Sequence, residues 1–301
     1  MILRLFLAFQ YILFAPIALA SVDAQSSYMS VRALDEYGHS VQLKHAVEAA
    51  RRHGRLVIAG QSASNETVVV SFGQKPVVHL VSLSTVASFQ QTNDVRNERV
   101  AAAAFDAVAL CCTGIKGDAS WLIDRVREHC TEIWNRYDHH LDAPAVSHVV
   151  SRLLGSFQGE DMDAEWQPGV KREKSSWARP LGIQTLILSQ QTPILLVEPS
   201  GRVLAATNFN GETSNEGRDG WRIAAIGKDS NIVLEKLRRT ERPPGPIETS
   251  ELEKTLIALI ASEAPTDRTA YIMMEILSRH GVRRTTILLA KGKEVSRSPL
   301  I

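Results

Sequence analysis

The side chains best suited to catalysis or metal binding are spread thinly over the chain. Its three cysteines are Cys111, Cys112 and Cys130. They are too few for a disulfide framework and lack metal-ligand spacing, and the apolar run around the first two predicts buried thiols. Three histidines near two predicted helices are His139, His140 and His148. No cysteine or carboxylate stands at ligand spacing from them, so we expect solvated histidines, no metal site and no cofactor.

Motifs for nucleophilic catalysis and phosphate binding are equally weak. No G-x-S-x-G sequence occurs, which leaves a serine hydrolase of that type without support. The glycine-rich stretch GETSNEG, at 211–217, lacks both the Lys-Ser/Thr ending and the strand–turn–helix context of a phosphate-binding loop. We therefore interpret this stretch as part of a polar insertion.

The composition is that of a folded soluble protein. The chain has 301 residues, of which 44% are hydrophobic and 22% are charged, so it can bury a substantial core. The formal net charge is only +1, and no long basic run occurs. A nucleic-acid-binding surface is therefore not expected.

The first 24 residues differ in character from the rest. Residues 1–20 carry an early positive charge, Arg4, and then a long apolar stretch that ends in Ala-Leu-Ala. These are the parts of a secretory signal peptide, including an A-x-A cleavage pattern. Residues 1–24 are thus interpreted either as a signal or membrane anchor, or as a non-native start of the chain.

The predicted elements after this segment come in groups instead of alternating. Strands are predicted at 55–60, 67–72, 77–83, 107–114, 183–189, 193–199, 202–208 and 221–227, and in a final hairpin turned at 279–281. Helices are predicted at 40–53, from 118, from 144, at 229–239 and at 250–263. Polar insertions near 84–100, 158–178 and 209–219 are expected to be loops. This grouping predicts an α+β sandwich in which helices cover antiparallel sheets.

Some residues are predicted to begin, end or fill these helices. Ser40 is expected to cap the first helix, and Gly54 is expected at the C′ position. Ser250 is expected to cap the helix that follows it. The helix that Asp118 opens is expected to bury an apolar side that includes Trp134.

Five segments, in order, resemble proteasome α-type subunits. The first reads Gly38-His39-x-x-Gln42-Leu43-x-His45-Ala46-x-x-Ala49, before Gly54 and a strand. The others are 113–127 with Gly-x-x-x-Asp-Ala, 179–188 with Arg-Pro-x-Gly, 197–203 with Pro-Ser-Gly, and 220–237 with Ala-Ile-Gly before a helix. Together these segments cover most of residues 28–240.

The resemblance implies a fold and a way of assembling. Residues 28–301 are expected to form a single domain with the N-terminal-nucleophile hydrolase fold, a four-layer αββα sandwich of two antiparallel sheets flanked by helices. Partners are expected to be other α-type and β-type subunits, in stacked seven-membered rings, and a regulatory particle or activator. Catalytic β-type relatives begin their first strand with an N-terminal threonine nucleophile. Here Arg55 and Leu56 follow a predicted helix at that point, so a non-catalytic subunit is expected.

The resemblance also assigns roles to single residues. Subunit-interface and gating contacts are expected from Tyr28, Gly38, His39, Gln42, His45 and Ala46. Lys75, near the end of the second strand, is the candidate for the pocket that receives an activator. The chain departs from the family pattern at Lys44, where an acid is expected, and at residues 28–30, which read Tyr-Met-Ser in place of Tyr-Asp-Arg.

Two hypotheses follow. The first is a structural and gating subunit of the 20S proteasome α ring that supports ubiquitin-dependent protein degradation in cytoplasm and nucleus. The sequence before Gly54, the stretch 220–222 and the final hairpin resemble the third α-type subunit. The second hypothesis is an exported or membrane-tethered relative, which enters the secretory pathway through residues 1–20 and acts as a binding protein or an unrecognised hydrolase.

Overall fold

The structure is a computed structural model. It describes residue 34 and the ranges 40–86, 104–158, 179–206, 222–239, 247–264, 269–278, 281–290 and 293–299. Residues 1–24, the gating candidates Tyr28, Gly38 and His39, and most of the three predicted insertions lie outside these ranges. Within the described residues, no helix is long and apolar enough to cross a membrane.

The described residues form five α-helices. They are α1 (Val41–His53), α2 (Lys116–Tyr137), α3 (Ala143–Gly155), α4 (Ser230–Arg239) and α5 (Thr249–Ser262). A 3-10 turn, Ser156–Gln158, extends α3. Each helix occurs where the sequence predicted one, because apolar residues recur at helical spacing in each of these stretches.

The described ranges also contain eleven strands, which form two antiparallel sheets. The strands are β1 (Val57–Gln61), β2 (Thr67–Phe72), β3 (Val78–Val86), β4 (Ala104–Gly114), β5 (Ile183–Leu188), β6 (Leu195–Val197), β7 (Val203–Ala205), β8 (Arg222–Ile226), β9 (Thr269–Ser278), β10 (Gly281–Ala290) and β11 (Lys293–Pro299). The first sheet has the order β11-β10-β9-β2-β1-β8, and the second has the order β3-β4-β5-β6-β7. The predicted hairpins β1–β2 and β9–β10 are both confirmed.

Three hydrophobic clusters show how the layers stack. One cluster joins the outer face of the first sheet to α4 and α5, for example through Ile58 and Leu256. A second joins the outer face of the other sheet to α2 and α3, for example through Leu110 and Val150. The third lies between the sheets. The α+β sandwich of two sheets flanked by helices is therefore confirmed.

The first helix begins as predicted but ends differently. The Ser40 side chain accepts a hydrogen bond from the Leu43 amide, which confirms the N-cap. Gly54, however, has φ −72° and ψ 133°, so it is extended and does not adopt the left-handed conformation expected at C′. A Cβ at this position would overlap the carbonyl oxygen of Ala50 and lie 2.9 Å from the Thr113 hydroxyl. Glycine is required here by close packing.

Two further details of the helices correct the sequence predictions. Trp134 is 40% exposed, because the buried stripe of α2 ends at Cys130 and the indole stacks on His140 at a ring distance of 4.0 Å. Ser250 does not cap α5, which begins one residue earlier, at Thr249. The Thr249 hydroxyl donates to a carboxylate oxygen of Glu66 at 2.7 Å, so the start of α5 is fixed by a contact with the β1–β2 hairpin.

The strands also differ from the sequence prediction in extent and in number. β3 runs to Val86, so it takes up the first residues of the insertion predicted near 84–100. β11 was not predicted as a separate strand. It pairs with β10 at the edge of the first sheet, and all seven of its residues are exposed. Its polar composition gives no apolar alternation from which a strand could be predicted.

Candidate functional site

The start of β1 is the position where a catalytic relative would carry its nucleophile, and here two hydrogen bonds hold the main chain just before it. The Thr113 hydroxyl donates to the main-chain carbonyl of Arg55 at 2.7 Å. The Lys228 amide donates to the carbonyl of Gly54 at 3.1 Å. The ends of β4 and β8 therefore both hold the junction between α1 and β1, and Arg55 is an internal residue of a fixed turn.

Gly227 makes this closure possible. Its φ is +88°, and a Cβ would overlap the carbonyl oxygen of Arg55. Its amide donates to the side-chain oxygen of Gln184 on β5 at 3.0 Å. The glycine of the Ala-Ile-Gly segment thus brings β8 against the start of β1 while it is anchored to the second sheet.

The Arg55 side chain reaches the turn that carries Lys75. Its Nη1 donates to the main-chain carbonyl of Lys75 at 2.9 Å. Gly73, with φ +102°, lies beside the guanidinium, and a Cβ there would make only ordinary van der Waals contact with it. The Lys75 side chain is exposed. The structure therefore brings together the residue at the nucleophile position and the predicted activator-pocket lysine, a pairing that the sequence did not predict.

Asp118 and Arg179 join two of the five family-like segments. The buried carboxylate accepts two hydrogen bonds from the guanidinium, at 2.7 Å and 2.8 Å. It also accepts one from the Gly182 amide at 2.9 Å. The hydrogen bonds to Asp118 raise the pKa of Arg179. This pair fixes the start of α2 against the segment that leads into β5.

Two glycines allow these same segments to touch. Gly114 has φ +131°, and a Cβ there would overlap the carbonyl oxygen of Gly182. That carbonyl accepts a hydrogen bond from the Ile115 amide at 3.0 Å. A Cβ at Gly182 would in turn lie 3.2 Å from the Ala49 methyl on α1. The strand-to-helix junction, the Arg-Pro-x-Gly segment and the first helix are therefore packed into one unit.

The Pro-Ser-Gly segment forms its turn elsewhere, against α3. Gly201 has φ +79°, and its amide donates to the carbonyl of Glu198 at 2.8 Å. The Ser151 hydroxyl donates to the carbonyl of Gly201 at 2.5 Å. This turn belongs to the support of the second sheet and does not reach the Gly54–Arg55 junction.

The interface candidates on α1 point in different directions. Ala46 is buried, Gln42 is half-buried, and His45 is exposed beside Lys44. Ala46 therefore packs the helix onto the sheets, whereas His45 is available on the outer face. Tyr28, Gly38 and His39 lie outside the described residues.

The thiols are placed where they are poor nucleophiles. Burial raises the pKa of Cys111 well above its ordinary value, that of Cys112 to about 12 and that of Cys130 to about 11. A thiol must lose its proton to act as a nucleophile. Within the part of the chain that the structure describes, no group of three or more His, Cys, Asp or Glu residues could hold a metal ion.

Glu275 is a residue that sequence reasoning missed. It is completely buried in β9, and one carboxylate oxygen accepts hydrogen bonds from the amides of Val77 and Val78 at 2.7 Å and 3.0 Å. The other accepts from Arg284 Nε at 3.0 Å. A lone acid in the apolar run of β9 was the available signal, because a buried charge needs such partners. Glu275 thus ties the start of β3 to the first sheet.

The chain is similar in sequence to several known proteins. The chain is 26% identical over 234 residues to proteasome subunit alpha type-7-B of Oryza sativa subsp. indica, which covers 75% of each chain. It is 24% identical over 231 residues to proteasome subunit alpha type-7-B of Arabidopsis thaliana, over 75% of this chain and 74% of the relative. For proteasome subunit alpha type-7 of Solanum lycopersicum the identity is 24% over 255 residues, with 82% and 79% covered.

No family model matches the chain, in keeping with its divergence. The five segments nevertheless occur in the expected order, and four of them meet around the Gly54–Arg55 junction or α1. The two-sheet sandwich supplies the architecture that the resemblance implies. Together with the relatives named above, these findings show that the chain is similar to proteasome α-type subunits, at 24–26% identity over three quarters or more of its length.

Proposed function

We propose that the chain is a non-catalytic structural and gating subunit of the α ring of the 20S proteasome, and that it supports ubiquitin-dependent protein degradation. The observation that carries the proposal is the closed junction at Arg55. A threonine-type nucleophile needs both a hydroxyl and a free N-terminal amine to act as its base. Here the residue has no hydroxyl, and α1 is attached to it through a fixed turn.

The partners follow from this role. The chain assembles with other proteasome subunits, and we propose α-type neighbours in its own ring, β-type subunits in the adjacent ring, and a regulatory particle or activator. The corresponding location is cytoplasm and nucleus. The sequence before Gly54, the stretch 220–222 and the final hairpin favour the third α-type position in the ring. The relatives reported above carry the type-7 name instead, so the ring position stays a prediction.

The contacts proposed for single residues divide between two surfaces. Gating and subunit contacts are assigned to Tyr28, Gly38, His39, Gln42 and His45, and also to Ala46, which acts by packing α1 onto the sheets. The activator pocket is assigned to Lys75. The exposure of the Lys75 side chain supports this assignment, as does the hydrogen bond from Arg55 that fixes its main chain. A Lys75→Ala variant should assemble normally and bind the activator more weakly, whereas Lys254→Ala, at an exposed position of α5, should change neither property.

We further propose that residues 28–301 are one domain and that residues 1–24 are a signal-like or non-native segment. The continuous layers from α4 and α5 to α2 and α3 support the single domain. Sequencing the N-terminus of the mature protein tests the boundary. A start near Met29 fits the proposal, whereas a start near Ser21 on secreted material contradicts the proposed location.

A pull-down tests the function itself. A C-terminally tagged chain, expressed in its own cells, should recover α-type and β-type subunits and their peptidase activity. The isolated chain should hydrolyse no fluorogenic peptide. A tagged chain that recovers no proteasome subunit, while a tagged authentic α-type subunit does, contradicts the proposal.

A further inference from the structure

Three of the four end strands in the described sheets carry their own protection against pairing with a further strand. An end strand offers unpaired amides and carbonyls, and short length, charged side chains or proline usually prevent such pairing. β7 has three residues, and β8 has five with Arg222 at its start. β11 carries Lys293, Glu294, Arg297 and Pro299. These three strands are therefore poor partners for a further strand.

β3 is the fourth end strand and has none of these features. It spans nine residues, VHLVSLSTV, without Asp, Glu, Lys, Arg or Pro, and in the part of the chain that the structure describes it pairs with β4 alone. Burial and the nearby Arg127 guanidinium lower the pKa of His79, so the strand is uncharged at neutral pH. A run of this length, rich in valine, leucine and threonine, favours pairing with a further strand. Any protection of its free edge has to come from other elements.

An ion pair from the first sheet takes the place of a neighbouring strand at Val78. One carboxylate oxygen of Glu275 accepts a hydrogen bond from the Val78 amide at 3.0 Å, and Nη2 of Arg284 donates to the Val78 carbonyl at 3.4 Å. The carboxylate and the guanidinium are joined to each other at 3.0 Å. In an antiparallel pair, a residue receives the same acceptor and donor from the residue opposite. Both main-chain groups of Val78 are therefore occupied by side chains.

Arg127 continues this closure two residues further along β3. Its Nε donates to the main-chain carbonyl of Leu80 at 3.1 Å. Carbonyls two residues apart in a strand point the same way, so Arg284 and Arg127 both bond the same edge. Arg127 comes from α2, on the outer face of the second sheet, whereas Arg284 comes from the first sheet. The free edge of β3 is thus enclosed from both faces of the strand.

We propose that Glu275, Arg284 and Arg127, which we name the edge cap, prevent the free edge of β3 from pairing with β3 of a second copy of this chain. Arg127 can be removed without leaving a buried charge unpaired, because its side chain is 45% exposed, whereas Glu275 is completely buried. Antiparallel pairing of a strand with its own copy is self-complementary and gives a closed two-fold dimer. The inference concerns the free chain and is independent of its role in a ring.

The experiment compares Arg127→Gln with Arg136→Gln by sedimentation velocity of the full chain over a range of concentrations. Arg136 lies on the same helix, is exposed and pairs with Glu132, so its loss removes the same charge and leaves Leu80 bonded. We expect Arg127→Gln to dimerise at a concentration about tenfold lower than Arg136→Gln or the unaltered chain, because the freed carbonyl becomes available to a second β3. Hydrogen exchange should then show protection of the β3 amides that rises with concentration.

A second variant tests the edge cap from the other direction. Arg127→Gln, His79→Lys places a cation on β3 itself and should return the chain to the behaviour of Arg136→Gln. Equal self-association of Arg127→Gln and Arg136→Gln would overturn the proposal, as would association that persists in the double variant or leaves the β3 amides unprotected. Circular dichroism of each variant should match that of the unaltered chain. Because association is measured on this chain alone, its absence from proteasomes would contradict the proposed function and leave this result intact.

Discussion

The Thr113 hydroxyl donates to the main-chain carbonyl of Arg55 at 2.7 Å, which fastens the end of β4 to the start of β1. Arg55 is held from the other side as well, because its guanidinium donates to the carbonyl of Lys75. A position that would be a free N-terminus in a catalytic relative is therefore an internal structural joint. The fold is kept and the chemistry at this position is absent.

Restoring a hydroxyl at this position should not restore catalysis. In Arg55→Thr the new threonine remains joined to α1, so it has no free amine to act as its base. We expect no hydrolysis of fluorogenic peptides by this variant, measured beside the unaltered chain. Peptide hydrolysis that appears only in the variant would show that the junction is less closed than the hydrogen bonds indicate.

Gly227→Ala should destabilise the fold strongly. The new methyl group would overlap the carbonyl oxygen of Arg55, and φ is +88°. We expect the free energy of unfolding to fall by about 3 kcal/mol or more, measured by urea titration with circular dichroism. Gly117→Ala is the matched control, because a Cβ there meets nothing within 4 Å in the first turn of α2. Gly117→Ala should raise the free energy of unfolding by up to about 1 kcal/mol.

Removing the carboxylate of Asp118 should also be costly. Asp118→Ala leaves the Arg179 guanidinium and the Gly182 amide without their acceptor. We expect the free energy of unfolding to fall by about 3 kcal/mol, measured by the same urea titration. Glu48→Gln, which removes one partner of the exposed pair with Arg52, should change the free energy of unfolding by less than about 1 kcal/mol. Similar losses in both variants would mean that burial of Asp118 has no special effect.

The three thiols should be inert in the folded protein near pH 8. Burial raises the pKa of Cys112 to about 12 and that of Cys130 to about 11, so little thiolate is present. Iodoacetamide should label all three cysteines in urea and none on the same timescale in buffer. The pKa of each thiol is higher in the folded protein than the value of about 8.5 in the unfolded chain. The stability that the protonated, buried thiols contribute is therefore fully present below about pH 8.5. It is lost as the pH rises toward 11.

Local patterns predicted most of the architecture. Ser40 as an N-cap and the β1–β2 and β9–β10 hairpins depend on neighbouring residues, and all are confirmed. The errors came from contacts that each helix makes with residues outside itself. α5 begins at Thr249 because its hydroxyl binds Glu66, and Trp134 stacks on a connector and not on the core. Periodicity contains no information about such contacts.

The site was predicted as a set of residues but not as an arrangement. The sequence supplied Arg55 and Lys75 separately, and the hydrogen bond between them depends on how β1 and the β2–β3 turn lie in space. The Asp118–Arg179 pair joins segments that are 61 residues apart. Both segments carry the resemblance, but it is the hydrogen bonds between Arg179 and Asp118 that explain why each segment needs its residue type.

The most direct test of the central claim is native mass spectrometry of the chain purified from its own cells without denaturation. We predict that it occurs in a particle of several hundred kilodaltons together with other proteasome α-type and β-type subunits. Dissociation of that particle should release this chain intact, with α1 still attached to Arg55. Recovery of the chain only as a monomer, or as a product cleaved just before Arg55, would contradict the account.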